Sequence, residues 1–275
     1  MLGIGVRHHQ NTNYMLSGEK MMKKQFKRIL RRCFDIARFF YLSVGSSREC
    51  PICGWTGHAF VRRSYPHKPG ATYICPSCGS RERHRFAYFT LKDKLADHAE
   101  KTLHFAPERC IEPWLHSISN EYLSADLLSP SAMYHMNINN LQFQDCRFSL
   151  LWCSHVLEHI ENDRKAMTEL FRVLRPSGLA VIMVPVYGDE TYEYPEATSP
   201  EERLKHFKQK DHVRLYGLDI KKRLEDVGFR VEMIQTSDLN SENVEKHVLE
   251  YPSTKEIFLC SKPQTANREG SAFQC

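Results

Sequence analysis

Long apolar runs are what this 275-residue chain most clearly lacks. The opening MLGIGVRHHQNTNY holds no apolar core long enough for a secretory signal. Phe39 to Val44 is too short to span a bilayer, so neither export nor a membrane-spanning chain is expected. Internal repeats and low-complexity tracts are absent too, which excludes a solenoid. Charge of one sign is scarce outside one end. The net charge is +5, yet residues 1–49 carry ten Lys/Arg against Glu19, Asp35 and Glu49, so the remainder is near neutral. A hydrophobic share of 41% and a charged share of 26% fit a globular protein with room for one α/β domain and a small module. Glycine is missing where it is usual in nucleotide folds. The first main-domain strand runs into LHFAPE (103–108), which by motif alone counts against a nucleotide-type cofactor.

What is present starts with cysteine. CPICG at 50–54 and CPSCG at 75–79 are paired knuckles, each offering two thiolates from one tight turn, with Gly54 and Gly79 letting the backbone fold under a metal. Cys50, Cys53, Cys75 and Cys78 therefore read as a structural zinc site, because four thiolates close the coordination sphere. A thioredoxin-like redox pair is the rival, and the second matching knuckle argues against it. The other six cysteines are scattered, which suits a reducing cytoplasm better than disulfides.

The stretch Ser149 to Val186 reads as buried strand, polar turn, helix, Pro-Ser-Gly stop and second buried strand, one βαβ unit of a parallel sheet. Strands are expected at Lys101–Phe105, Tyr122–Ala125, Met133–Ile138, Leu150–Cys153, Leu179–Val186, Phe229–Gln235 and Glu256–Cys260. Helices are expected at Arg109–Ile118 and Asp219–Val227, with an insertion over 187–213. Asp126 ends the second strand, where a carboxylate accepts both hydrogen bonds of a ribose diol; a turn cap is its bland alternative. Before the sheet, Met22, Phe26, Ile29, Leu30, Cys33, Ala37 and Phe40 share one face of a basic amphipathic helix. It either packs on its own protein or touches anionic lipid or nucleic acid. Arg81, Arg83, His84 and Arg85 form a cationic cluster suited to a phosphate contact or to local ion pairs.

The wording of CSHVLEHI and FRVLRPSGLAVIMVP, the HFAPE loop after paired knuckles, and HFKQKDHVRLYG (206–217) resemble class I S-adenosylmethionine (SAM)-dependent methyltransferases. The likeness is to the type 11 methyltransferase-like group with an N-terminal four-cysteine zinc ribbon. The resemblance implies an α/β fold: a Rossmann-like, doubly wound sheet with its last strand antiparallel, preceded by the ribbon. It implies SAM as cofactor, held by His104, Phe105, Ala106 and Glu108 of the first loop, Asp126, Asn137 and Ile138 near the adenine, and Ser154 at the fourth strand's end. His155, Asp211 and His212 are the catalytic candidates on the acceptor side, since neutral imidazole takes a proton near pH 7. Glu158 and His159 read as helix-start and packing groups, and Asp211 with Arg214 as either substrate groups or an ion pair fixing the insertion.

The organisation expected is a disordered leader (1–20), the basic helix (21–47), the ribbon (48–80), a connecting helix (81–100), the SAM-binding domain (101–262) and a disordered tail (263–275). The expected activity is methylation of a small-molecule or glycan-precursor acceptor, at a hydroxyl. It would take place in the cytoplasm, with peripheral membrane contact through the basic helix. An RNA methyltransferase using the ribbon for RNA contact, and a non-catalytic zinc and SAM-binding module, are the alternatives.

Overall fold

A computed structural model of the chain describes residues 10–66 and 70–264, with the backbone alone over 10–20. Helix α1 (Gln10–Leu42) leads into two short antiparallel pairs, β1 (Arg48–Glu49) with β2 (Thr56–Gly57) and β3 (Val61–Ser64) with β4 (Ala71–Ile74). The helix thus begins inside the expected leader; residues 1–9 lie outside the described residues, as does the tail beyond Gln264. Helix α2 (Glu82–Ala96) connects to the main domain.

That domain runs β5 (Lys101–Phe105), α3 (Glu112–Ile118), β6 (Glu121–Asp126), β7 (Tyr134–His135) and β8 (Phe148–Ser154). After a 3-10 turn (Leu157–His159) come α4 (Asp163–Val173), β9 (Leu174–Met183), β10 (Tyr192–Glu193), α5 (Pro200–Phe207), β11 (Arg214–Leu215), α6 (Ile220–Val227), β12 (Arg230–Gln235), α7 (Ser241–His247) and β13 (Glu256–Ser261). The central sheet has the order β12-β13-β9-β8-β5-β6-β7. Its neighbours from β9 to β7 pair parallel, and β13 alone lies antiparallel between β9 and β12. Strand order reverses between β5 and β8, and ligands of open α/β sheets sit at the carboxyl ends beside such a switch.

Burial explains why β8 reads as an unbroken apolar run: all seven of its residues are buried. Leu151 and Cys153 face one layer, made by Ala166, Met167, Leu170 and Val173 of α4 with Ile220 and Leu224 of α6. Leu150 and Trp152 face the other, made by Phe86, Leu91 and Leu95 of α2 with Leu115 of α3. Each fully buried leucine contributes about 2 kcal/mol. Leu42, Cys50, Trp55, Phe60 and Cys75 form a separate small core in the ribbon. Arg85, fully buried, bolts that ribbon to the C-terminal end of α7. It donates to the carbonyls of Ser80, His247 and Val248 and lies 4.2 Å from the Phe60 ring.

Three departures from the sequence reading have local causes. The helix ends at Val173, and Pro176 and Gly178 lie within β9, where residues 175–178 loop out between Phe148↔Leu174 and Leu150↔Leu179. The third strand is shortened to an edge pair, since β7 meets only β6. Helix α7, absent from the expected order, receives Arg85 at its C-terminal carbonyls. Among the described residues eight cysteines are free thiols.

Candidate functional site

The loop leaving β5 turns on Ala106, which has φ 48°, a conformation costing a non-glycine residue about 1–3 kcal/mol. What holds it lies underneath. His104 is fully buried; one ring nitrogen meets the Tyr122 hydroxyl (2.9 Å) and the other accepts from the Glu108 N–H (3.3 Å). The Glu108 carboxylate accepts from Arg83 (3.0 Å), His84 (2.8 Å), Trp152 Nε1 (3.2 Å) and Ser154 Oγ (3.3 Å). Burial alone would raise Glu108, but His84 and Arg83 outweigh it and hold the carboxyl well below its usual range. Burial pushes His84 and His104 down to about 4, so both are neutral at pH 7.

The expected cofactor residues divide by where their side chains lie. The side chains of His104, Phe105, Glu108 and Ser154 are buried or engaged beneath the loop, and only Ala106 and Pro107 stand at its crest. The crevice wall is made further along. Asp126 Oδ1 accepts from the N–H groups of Leu128 (2.7 Å) and Ser129 (2.6 Å), the turn-cap role. Its second oxygen makes no hydrogen bond among the described residues. Leu127 and Leu128 are 57% and 84% exposed beside it, while Ile138 is buried and Asn137 exposed, the Asn137 carbonyl oxygen accepting from Asn139 N–H. A nucleoside with an amino-acid tail fits these residues: a strand-end carboxylate for the diol, apolar surface for the base, and a small residue where the first loop needs close approach.

A second depression opens past β8 and β9, between the ribbon and the insertion, lined by Arg83, His155, Glu158, His159, Tyr187 and His212 among others; its volume is about 220 Å³. His155 sits at φ 56° with Nδ1 3.2 Å from Glu158 Oε1. Glu158 is 1% exposed, neither of its oxygens has a hydrogen-bonding partner, and His155 Nε2 and His212 Nδ1 are likewise buried and unpartnered. Burial holds His155 below the usual imidazole range and pushes His212 down to about 4. Of the catalytic candidates, the structure brings His155 and His212 to one cleft. Asp211 borders the same cleft but is 71% exposed, and its backbone carbonyl accepts from His159 Nδ1 (3.0 Å). Arg214 does not pair with Asp211. It is buried on Glu193 (2.8 Å) and Asp163 (3.8 Å) and donates to the carbonyls of Leu157, Ile160 and Glu161, fixing the turn that carries Glu158.

The four expected metal ligands converge. Cys50–Cys78 and Cys53–Cys75 sulfur pairs are each 3.7 Å apart, and all four lie within 4.8 Å of one another. A tetrahedral ion with metal–sulfur bonds of about 2.3 Å needs edges of about 3.8 Å, so the thiols fit such an ion. Gly54 and Gly79, at φ 70° and 75°, donate back to the Cys50 and Cys75 carbonyls and close the two knuckles.

Residues 101–182, which carry β5 through β9, match a family model described as a methyltransferase domain. Over that stretch the chain is a methyltransferase-type domain. Solved structures similar to this chain include an S-adenosylmethionine-dependent methyltransferase from Mesorhizobium loti (11% identity, 64% of this chain and 98% of that one, TM-score 0.47). The YcgJ protein of Bacillus subtilis is similar at 14% identity over 66% of this chain and 100% of that one, with TM-score 0.44. Haemonchus contortus phosphoethanolamine N-methyltransferase 2, solved with phosphomonomethylethanolamine and S-adenosylhomocysteine, is similar at 15% identity, 60% and 50% coverage and TM-score 0.43. No curated protein matches the chain.

Sequence reasoning missed how the connecting helix serves the methyltransferase loop. Arg83 and His84 are spent on Glu108, and Arg85 on ribbon and α7 carbonyls, so three of the four groups in the cationic cluster face protein. It also missed Leu127 and Leu128, whose signal was two leucines in a row immediately after a strand-end acid. Glu158, read as a helix-start group, is instead a buried carboxylate facing the cleft.

Proposed function

We propose that this methyltransferase moves the SAM methyl group to a hydroxyl of a small polar acceptor, a sugar or glycan precursor, bound in the cleft between ribbon and sheet. SAM would lie along Ala106, Asp126 and Ile138, and the carboxyl end of β8 would border both ligands. The observation carrying the reading is the pair of buried imidazoles, His155 and His212, held below the usual imidazole range beside an open polar cleft. Neutral imidazole can take a hydroxyl's proton, and the in-line transfer otherwise needs alignment and exclusion of water. SAM supplies the activated methyl group, and the ribbon's four thiolates would hold zinc in a structural role. The test is transfer of labelled methyl from SAM into fractionated cell extract. Label is expected among polar small molecules or glycan precursors, and label confined to RNA or protein contradicts the reading.

We also infer that α1 rests on an anionic membrane surface, placing the enzyme at the cytoplasmic face. Met22, Phe26, Ile29, Leu30 and Phe34 are 52–67% exposed on a helix that also carries Lys23, Lys24, Lys27, Arg28, Arg31 and Arg32. Among the residues whose side chains are described, its last turn, through Phe39 and Leu42, is what packs on the ribbon core. No helix among the described residues is long and apolar enough to cross a membrane. Exposed apolar area with basic flanks is what an interfacial helix needs. Cosedimentation with phosphatidylglycerol-containing vesicles, weakened by salt, is expected; equal binding to neutral vesicles, or none to either, contradicts it.

A further inference from the structure

The cleft holds an arrangement that methyl transfer alone does not require. Glu158 is almost completely buried, and its carboxylate has only the ion-pair contact with His155 Nδ1 at Oε1, with no well-aligned hydrogen bond at either oxygen. An uncompensated buried carboxylate is expensive, since its lost hydration has nothing to replace it. His155 Nδ1, 3.2 Å from Oε1, is a partial remedy on one side, while His212 is 2% exposed with Nδ1 unpartnered and Oε2 receives no hydrogen bond. One ligand atom each from Glu158, His159 and His212 lies within 4.8 Å of the other two.

The outer contacts of the two imidazoles are those of metal ligands. A metal-bound histidine usually has its other ring nitrogen fixed by a carbonyl or another polar group, which sets the tautomer. His159 Nδ1 meets the Asp211 carbonyl oxygen at 3.0 Å. His212 Nε2 meets the Gln209 side-chain amide at 2.6 Å; with that amide turned so that its oxygen accepts from Nε2–H, the otherwise unpartnered Nδ1 is the lone-pair nitrogen. The Val213 N–H, bonded to the Glu158 carbonyl oxygen (3.0 Å), and Arg214, on the carbonyls around it, tie the two ligand-bearing segments together.

We propose that Glu158, His159 and His212 bind a divalent transition-metal ion at the floor of the cleft, separate from the four-cysteine site. Two imidazoles and one carboxylate favour zinc, iron or a neighbouring first-row ion over magnesium or calcium, which prefer all-oxygen shells. Three protein ligands leave room for water or for an acceptor oxygen. In that last respect the inference rests on the acceptor reading above. The ion would hold the acceptor hydroxyl near His155 and thereby favour acceptors with neighbouring oxygens that can chelate.

The test uses full-length protein and Co2+ as the probe. After equilibration with excess Co2+ and removal of the free ion, wild type is expected to retain one more equivalent than Glu158→Gln or His212→Ala. Calorimetric affinity for that equivalent should fall at least about tenfold in Gln209→Ala, as for other outer-contact losses. His159 is a third exposed, so His159→Ala supplies a variant whose fold is least at risk, and unchanged melting verifies it. Equal stoichiometry and affinity in wild type and His159→Ala overturns the site. SAM binding, read by calorimetry in the same samples, separates the outcomes: a missing ion with SAM bound removes only this site, whereas absent SAM binding removes the methyltransferase reading.

Discussion

Glu108 shows how one buried carboxylate can hold the loop after a strand from beneath. Its carboxylate gathers donors from α2, β8 and the Ser154 turn, while its N–H meets His104, so the crest at Ala106 is fixed from below. Glu108→Ala would leave Arg83 and Trp152 facing an empty position, and breaking such a buried charge network costs about 3–5 kcal/mol. Thermal melting should show it as a drop of roughly 10 °C at this chain length. Asp126 is the opposite case, half-exposed and free at one oxygen; Asp126→Ala should melt near wild type yet bind SAM at least about tenfold more weakly by calorimetry, the loss of a charged hydrogen bond to a diol. His104 makes a pH prediction. Its pKa is about 4 folded against 6.5 as the ordinary value, so between those values the unfolded chain binds the proton and the folded one does not. Stability therefore falls as pH drops from 6.5 to 4, with His104 responsible for about 3 kcal/mol. Denaturant titrations across that range should show a shallower pH dependence for His104→Asn than for wild type; parallel curves contradict the assignment.

At the scale of elements, two arginines act as bolts. Arg85 joins ribbon, α2 and α7, and Arg214 joins the insertion to the turn after β8. A lysine cannot reproduce three carbonyl contacts from one planar fork. Arg214→Lys should thus lower stability by about 2–4 kcal/mol and speed proteolytic cleavage within 187–213, while SAM affinity changes little. Cleavage at the wild-type rate would show that the insertion is held by other means. Element types were largely readable in the sequence, because strands covered on both faces are apolar runs and α4 carries its stripe at helical spacing. Pro176 and Gly178 misled because a helix stop and a strand bulge use the same residues. The site was less legible. Ala106, Asp126 and the four cysteines follow from position and spacing, but the inward turn of Glu108 depends on α2, 25 residues away in sequence from Arg83. That Glu158 is buried while Asp211 is exposed depends on how the insertion docks, which no local pattern encodes.

For the whole molecule, the ribbon, the sheet and the insertion enclose one cleft, so a metal held by the four cysteines would bear on the cleft and not on the ribbon alone. Chelating it should release the small core of Trp55 and Phe60, undo the Arg85 contacts, and abolish methyl transfer together with the ribbon's protection from proteolysis. Loss of activity with the ribbon still protected would place the chelated ion elsewhere, and full activity with no metal retained would remove the structural role. Beneath all of this lies the assignment of the sheet's switch-point crevice to SAM. Calorimetric titration of SAM into metal-replete protein tests it most directly. The account predicts saturable binding of one SAM per chain, lost or at least about tenfold weaker in Asp126→Ala. The absence of any heat in wild type, or an affinity indifferent to Asp126, would contradict it.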